Sequence, residues 1–285
     1  MSHRTQKHRW PAYKDGPTVP RALMLRILRA TSTSPTRPGI AHLQSSTTRA
    51  SSAQPRYPSA MPLELHPIEE SDFLAYADAC WAAFGNGTGG IMDVMYNKGF
   101  SEEARQYTAN SGRRAWQAHP DKVLMRKVVD TDLPADDPYK KIVGFSKWKI
   151  YAEGRTAAVI QQEKAEDEAD GDPPGFNGEF WPVFEASINE AKERLVGEKP
   201  FLLLHILVTL PQHHRRGVGG MHLKWGQELA DRLGLPSYLE GSPSGQPLYE
   251  RYGYERKWTL PFDARDFGAT SALTHEAMLR PARTA

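Results

Sequence analysis

The residues with the clearest chemical potential are LVTLPQHHRRGVGG at 207–220, where an apolar segment passes through a basic turn into a glycine-rich one. We predict that a strand ends here and that a helix begins at about Gly217. The first N–H groups of a helix lack partners within it and carry the positive end of its dipole. Glycines let a ligand approach that main chain closely, and Arg215 and Arg216 add positive charge. The segment therefore predicts a site for a phosphate or pyrophosphate.

Two common phosphate-binding motifs do not fit this segment. A Walker A loop requires Gly-Lys-Ser/Thr, which does not follow here. The dinucleotide fingerprint requires G-x-G-x-x-G, but GVGGMH at 217–222 has His222 at the last glycine position. On the glycines alone, a tight strand-to-helix turn with surface arginines stays open as the alternative.

The surrounding elements must hold this turn at the edge of a sheet. Residues 201–209 are apolar on both faces apart from His205, which predicts a central strand. Hydrophobic periodicity predicts helices over 71–84, 101–118, 181–196, 217–233 and 247–252, and strands over 63–66, 123–129, 141–151, 237–240 and 254–260. Segment 163–172 holds six acids in ten residues, which favours a solvated, mobile insertion, with a docking surface for a cationic substrate as the alternative.

Two motifs at the right separation resemble the GNAT superfamily of N-acetyltransferases. HRRGVG at 214–219 is similar to the acetyl-CoA motif Gln/Arg-x-x-Gly-x-Gly/Ala, with His214 in the first position. LYERYGY at 248–254 is similar to Leu-Tyr-x-x-x-Gly-Phe, and YLEGSPSG at 238–245 is similar to fungal members of unassigned substrate. The resemblance implies an α/β domain over 61–285, in which a central, twisted, mixed β-sheet is flanked by helices in three layers and opens in a V between two central strands.

The resemblance also implies where acetyl-CoA, the co-substrate, binds. Pantetheine would bond the main chain of the central strand, and the pyrophosphate would lie on the N–H groups of the glycine turn. Basic side chains would contribute charge or a hydrogen bond, and Ser242 would touch pantetheine where many relatives have asparagine. The implied binding residues are Leu207, Val208, Thr209, His214, Arg215, Arg216, Gly217, Val218, Gly219, Gly220 and Ser242.

The implied reaction is direct attack of an amine on the thioester, which needs an acid for the thiolate and a route for the amine proton. Tyr249 matches the family position of the acid, and a packed tyrosine with a satisfied hydroxyl is the alternative. His205 and Glu240 are the candidate bases, with ordered water as the alternative. We expect His205 to face the thioester because it shares strand parity with Leu207. Trp148, Tyr151 and the loop at 86–97 are expected to shape the acceptor pocket.

Charge separates the chain into two parts. Residues 1–60 hold ten basic residues and one acid, with many Ser, Thr and Pro, which predicts a disordered extension. Three interpretations of this extension stay open. It is a mitochondrial transit peptide, a nucleic-acid-binding arm, or a segment translated from a start codon set too early. The expected location is the cytoplasm, or the mitochondrion if a transit peptide is present.

The composition excludes several other classes. The longest apolar run, near 201–208, is far shorter than the ~20 residues that a bilayer needs. A single cysteine, Cys80, excludes an internal disulfide framework and a multi-cysteine zinc site. We expect no metal and no membrane partner. The net charge of −7 over residues 61–285 also argues against a nucleic-acid partner. The expected function is N-acetylation of a small-molecule or protein amine, and the alternative is a non-catalytic acyl-CoA-binding module.

Overall fold

The computed structural model describes residues 62–85, 87, 89–134 and 141–283. The extension over 1–60 and its three interpretations lie outside these residues. The described chain forms one sheet of seven strands in the order β1-β2-β3-β4-β5-β7-β6. The strands are β1 Leu63–Pro67, β2 Val123–Asp130, β3 Ile142–Tyr151, β4 Phe201–Thr209, β5 Ser237–Gly241, β6 Glu255–Thr259 and β7 Glu276–Arg280. The β4–β5 pair is parallel and the other neighbouring strands are antiparallel, so the predicted mixed sheet is confirmed.

Helices cover both faces of this sheet. They are α1 Phe73–Phe84, α2 Ile91–Met95, α3 Glu102–Ala118, α4 Ala157–Asp170, α5 Phe180–Leu195, α6 Val218–Leu233 and α7 Gln246–Arg251. Helices α6 and α7 pack on one face, while α1, α3 and α5 pack on the other. This arrangement gives the three layers that the sequence predicts. No helix among the described residues is both long enough and apolar enough to span a bilayer.

Helix α6 packs very closely against the sheet. Its residues Leu223, Leu229 and Leu233 are buried in one cluster with Trp148 of β3. A Cβ atom on Gly226 would lie 2.1 Å from the Trp148 ring, so only glycine lets the helix approach this closely. The C-terminus of α6 follows the prediction, since Gly234 adopts a left-handed conformation with φ 65° and caps the helix.

The prediction of a mobile insertion over 163–172 is wrong. These residues belong mostly to helix α4, whose N-cap Thr156 accepts a hydrogen bond from Val159 N at 3.4 Å. Charged side chains hold the helix in place, because Glu163 lies 3.2 Å from Lys149 Nζ and 2.8 Å from Arg155 Nε. Hydrophobic periodicity missed this helix because α4 buries none of its residues.

The strand predicted over 254–260 is present as β6, but the prediction that it is the last strand is wrong, because β7 follows it in the chain and inserts between β5 and β6. Five residues, EAMLR, are too few for a clear alternation, and a charged residue stands at each end. The strand is fixed by pairing on both edges, where Met278 faces Leu239 of β5 and Arg256 of β6. Such pairing is a tertiary property that local sequence does not contain.

Candidate active site

The sheet opens between β4 and β5, the two strands that run parallel. Their pairing covers only Leu202 to Leu204 on β4 and ends where Leu204 faces Leu239. Strand β4 nevertheless continues to Thr209 alongside β3, and β5 continues to Gly241 alongside β7. Leu207, Val208 and Thr209 therefore have a strand partner on the β3 side and none on the β5 side within the described chain. The free edge offers main-chain donors and acceptors to an extended ligand.

The glycine turn at the start of α6 leaves its N–H groups available. Gly217 is the N-cap, with φ 90° in the left-handed region that favours glycine. Met221 N is the first donor to bond back into the helix, to Gly217 O at 3.1 Å. In the described structure, the N–H groups of Gly217, Val218, Gly219 and Gly220 have no main-chain acceptor. They form the cluster of donors that an anion needs.

The basic side chains beside this turn have different tasks. Arg216 Nη1 lies 2.6 Å from Asp130 Oδ2, and it also donates to His213 Nδ1 at 2.6 Å. Burial opposes ionisation of Asp130, but Arg216 outweighs it and lowers the pKa of that carboxyl. His214 Nε2 lies 3.1 Å from Thr209 O, so this side chain ties the turn to the end of β4. Arg215 is exposed and has no side-chain partner in the described residues, which leaves its charge available to a ligand.

Helix α7 places Tyr249 at the end of β5, beside the opening. A Cβ atom on Gly241 would lie 3.2 Å from the Tyr249 ring, and one on Gly219 would lie 2.8 Å from Leu248 and 4.0 Å from Leu207. The glycine turn, the free edge of β4 and α7 therefore converge. The Tyr249 hydroxyl has no hydrogen bond within the described chain, which argues against a packed tyrosine with a satisfied hydroxyl. Burial, and Tyr254 beside it, raise the pKa of Tyr249, so the phenol stays protonated.

Ser242 follows β5 directly and lies at the same end of the strand as the Tyr249 ring. Its hydroxyl is 3.3 Å from the Ser244 hydroxyl, and its carbonyl accepts from Gly245 N at 2.9 Å and Gln246 N at 3.1 Å. The residue therefore shapes the turn into α7. Its contact with pantetheine stays a prediction.

A β-bulge in β4 changes the placement of His205. Trp148 pairs with Leu204 and Lys147 pairs with Ile206, so His205 is the extra residue on β4. A bulge reverses the alternation of side chains beyond it. Leu207 accordingly packs in the α6 cluster, whereas His205 lines a cavity on the opposite face. The expectation that His205 shares a face with Leu207 and Thr209 is therefore wrong.

This cavity lies between β3, β4 and the helices α3, α4 and α5, and its volume is about 1240 Å³. His205 lines it directly after the last β4 residue that pairs with β5, so the cavity reaches β4 beside the start of the opening. Its aromatic lining consists of Tyr96, Tyr107, Tyr151, Phe176 and Trp181. Tyr151 lines this cavity, and its role in an acceptor pocket stays a prediction, but Trp148 is fully buried beneath α6 and cannot shape the cavity.

The charges around His205 bear on its chemistry. Withdrawal from bulk water, together with the neighbouring Lys147, Lys149 and Lys192, lowers the pKa of His205 below its usual value, although the side chain keeps an exposed surface toward the cavity. The imidazole is therefore neutral near pH 7 and has a lone pair that can accept a hydrogen bond, while the lysines oppose full protonation. Glu240 is not part of the cavity lining, and its Oε1 lies 3.4 Å from Lys192 Nζ.

Sequence reasoning missed Lys147 and Glu163, both of which line the cavity. The signal for Lys147 was present, because two lysines that stand two residues apart in a mostly apolar strand, Lys147 and Lys149, place charge on one face of a sheet. The signal for Glu163 was obscured by the acids around it. Among the described residues, no group of three or more His, Cys, Asp or Glu side chains is arranged to hold a metal ion.

Comparisons with known proteins agree with this geometry. No protein-family model matches the chain. The probable acyltransferase SID5 of Ajellomyces capsulatus is 28% identical over 82 residues, which are 29% of this chain and 51% of that protein. The chain thus matches only about half the length of this curated relative.

Two solved structures show the fold. One is a Corynebacterium glutamicum structure of "histone acetyltransferase HPA2 and related acetyltransferase". It aligns with a TM-score of 0.50 and 16% identity, and the alignment covers 79% of this chain and 99% of that chain. Arylalkylamine N-acetyltransferase 2 from Aedes aegypti aligns with a TM-score of 0.55 and 12% identity. This alignment covers 78% of this chain and 99% of that chain. The chain has the GNAT fold. The GNAT fold class predicted from the two sequence motifs is thereby confirmed.

Proposed function

We propose that this GNAT-fold protein is an acetyl-CoA-dependent N-acetyltransferase. The observation that carries the proposal is the convergence of a free strand edge, at Leu207–Thr209, with a cluster of unpartnered N–H groups at Gly217–Gly220. Pantetheine carries amide groups that can bond an extended main chain, and a pyrophosphate is the anion that such donors suit. The acyltransferase and N-acetyltransferase names of the similar proteins support the same reaction class.

Each predicted binding residue has a task in this proposal. The main chain of Leu207, Val208 and Thr209 holds pantetheine, and the N–H groups of the turn hold the pyrophosphate. Arg215 supplies the available positive charge. Arg216 and His214 act through the loop, because Asp130 and the Thr209 carbonyl already engage them.

The amine enters from the cavity and meets the thioester at the bulge. Its nitrogen attacks the acetyl carbonyl, so a C–N bond forms as the C–S bond breaks. The departing thiolate takes the proton of the Tyr249 hydroxyl, whose raised pKa keeps that proton in place beforehand. His205 accepts a hydrogen bond from the amine, and the proton leaves through water because the lysines oppose an imidazolium. Glu240 is the less suitable base, since it is paired with Lys192.

Calorimetry with acetyl-CoA and CoA tests the binding half of the proposal. We expect Arg215→Glu to weaken both by about 10–100-fold, because a charge-assisted contact contributes about 1.5–3 kcal/mol. Arg232→Glu, near the opposite end of α6, is the matched control with the same change of charge and should leave both affinities intact. If neither ligand binds the unaltered chain at millimolar concentration, the proposal fails.

Release of free CoA thiol in the presence of an amine panel tests the catalytic half. Transfer should require both the amine and acetyl-CoA, and acetylated amine should accumulate in step with the thiol. Tight binding of acetyl-CoA without thiol release for any amine would contradict catalysis and leave a non-catalytic binding module.

A further inference from the structure

The floor of the cavity contains a lysine without an acidic partner. Lys147 lines the cavity from β3, and no hydrogen bond or ion pair involves its side chain in the described structure. Lys122 and Lys164 also line the cavity without an ion pair among the described residues, but three other cations of the lining are paired. Lys149 lies 3.2 Å from Glu163, Arg114 lies 2.8 Å from Asp170, and His119 lies 3.1 Å from Glu166.

The position of Lys147 is unfavourable for a positive charge. Burial, and then Lys149, lower the pKa of Lys147 to about 8. The neighbouring Cys80 does not offer a negative charge, because burial raises the pKa of its thiol to about 12. Asp167 also lines the cavity but forms no ion pair within 4.0 Å with any described residue. Lys147 is half-buried in the cavity. A charge that is partly withdrawn from water is stabilised by pairing, so an anion from solution would gain from binding here.

The place of this lysine in the sheet relates it to the transfer step. Lys147 pairs with Ile206, the residue directly after the bulge at His205. An anion on Lys147 would therefore lie close to the amine that meets the thioester. The aromatic lining and the volume of about 1240 Å³ leave room for an organic body around both groups.

We propose, on the basis of the function proposed above, that the acceptor is an amine that also carries a carboxylate, and that Lys147 binds this carboxylate. The lysine is then a specificity-determining residue. It holds the acceptor so that the amine points to the opening between β4 and β5, while Lys149 and Arg114 stay engaged with α4. An amino acid has both groups at the required short separation.

Direct binding provides the test, because it does not depend on transfer. The full chain, saturated with CoA, is titrated with phenylalanine, tryptophan and lysine, and separately with phenethylamine, tryptamine and cadaverine, which lack only the carboxylate. At least one amino acid should bind about tenfold or more tightly than its decarboxylated counterpart, as expected for one charge-assisted hydrogen bond.

Variants assign that preference to a residue. Lys147→Met should abolish it, Lys147→Arg should retain most of it, and Lys122→Met, which removes an exposed cation of the same cavity, should leave it unchanged. If Lys147→Met does not fold, as judged by circular dichroism, Lys147→Gln takes its place. A preference that survives loss of the Lys147 charge would overturn the proposal.

Two further outcomes would also overturn it. One is equal or tighter binding of all three decarboxylated amines, or no binding of any amino acid. The other is unchanged amino-acid binding combined with equal loss of turnover in Lys147→Met and Lys147→Arg, which would make Lys147 a proton acceptor. Failure of the proposed transferase function can be distinguished from failure of this proposal. In that case the chain would still bind the amino acid more tightly than its decarboxylated counterpart, but it would release no CoA thiol.

Discussion

The two faces of the sheet at β4 present different kinds of chemical group. On the face of α6, the site consists of main-chain groups: the free edge of β4 and the N–H groups from Gly217 to Gly220. On the other face, the cavity consists of side chains from β3, β4, α3, α4 and α5 that are far apart in sequence. A site made of main-chain groups can be encoded by a short contiguous motif. A site made of side chains from distant segments forms only when the tertiary structure brings those segments together. This difference explains why the glycine turn could be predicted from the sequence and the cavity could not.

The two faces also differ in how their helices are held. Helix α6 buries eight of its residues, and α4 buries none. Polar contacts attach α4, among them Asp170 to Arg114 at 2.8 Å and Glu166 to His119 at 3.1 Å. Because exposed ion pairs each contribute little, α4 should separate from the fold far more easily than α6. We therefore expect the α6 face to be rigid and the α4 face to be adaptable.

The largest expected effect concerns the rate of transfer. Tyr249→Phe should lower kcat by about 10²–10⁴-fold, because the leaving thiolate loses its acid, and should leave acetyl-CoA affinity nearly unchanged. Steady-state kinetics and calorimetry measure the two quantities separately.

Tyr254→Phe is the matched control for Tyr249. Tyr254 is a buried neighbour whose hydroxyl lies 2.6 Å from Ser237 Oγ, so its loss should cost stability and spare kcat. An unchanged kcat across pH in Tyr249→Phe would remove Tyr249 from the mechanism.

The next effect tests the rigidity of the α6 face. Gly226→Ala should lower the free energy of unfolding by about 1–3 kcal/mol, since the added methyl overlaps the buried Trp148 ring. Urea denaturation followed by tryptophan fluorescence measures it. Gly178→Ala meets no atom within 4 Å and should cost nothing. Equal stability of the two variants would contradict the close packing of α6 on β3.

The smallest effect tests the ionic attachment of α4. Burial opposes ionisation of Glu163, but Lys149, Tyr151 and Arg155 outweigh it and lower its pKa from 4.5 to about 2. A carboxyl whose pKa is lower in the folded state stabilises the fold above pH 4.5, and this contribution is lost as the pH falls toward 2. Glu163→Gln should therefore be less stable than the unaltered chain at pH 6 and nearly equal to it at pH 2.

Urea denaturation at both pH values checks this prediction, with Glu193→Gln as the exposed control. A stability difference that stays constant down to pH 2 would show that Glu163 contributes through packing and not through its charge.

Most strands and helices were predictable because they carry local patterns. Helix α3 begins where Ser101 accepts from Ala104 N at 3.2 Å, and β4 spans the predicted range Phe201–Thr209. Helix α4 was not predicted, because it has no buried apolar stripe. Strand β7 was not predicted, because it is too short to show an alternation of apolar and polar residues. The site divides in the same way: Tyr249 and the glycine turn follow from motifs, but Lys147 does not.

The sequence alone therefore predicted the GNAT fold and the glycine turn, since the motifs that indicate them consist of residues close together in the chain. The tertiary structure decided the face on which His205 lies, because a single bulged residue between Leu204 and Ile206 reverses the alternation of β4. It also decided which charges are paired around the cavity, because Lys149 and Glu163 meet only when α4 folds back over β3. Pairing of this kind depends on distances in space, and spacing along the chain does not encode them.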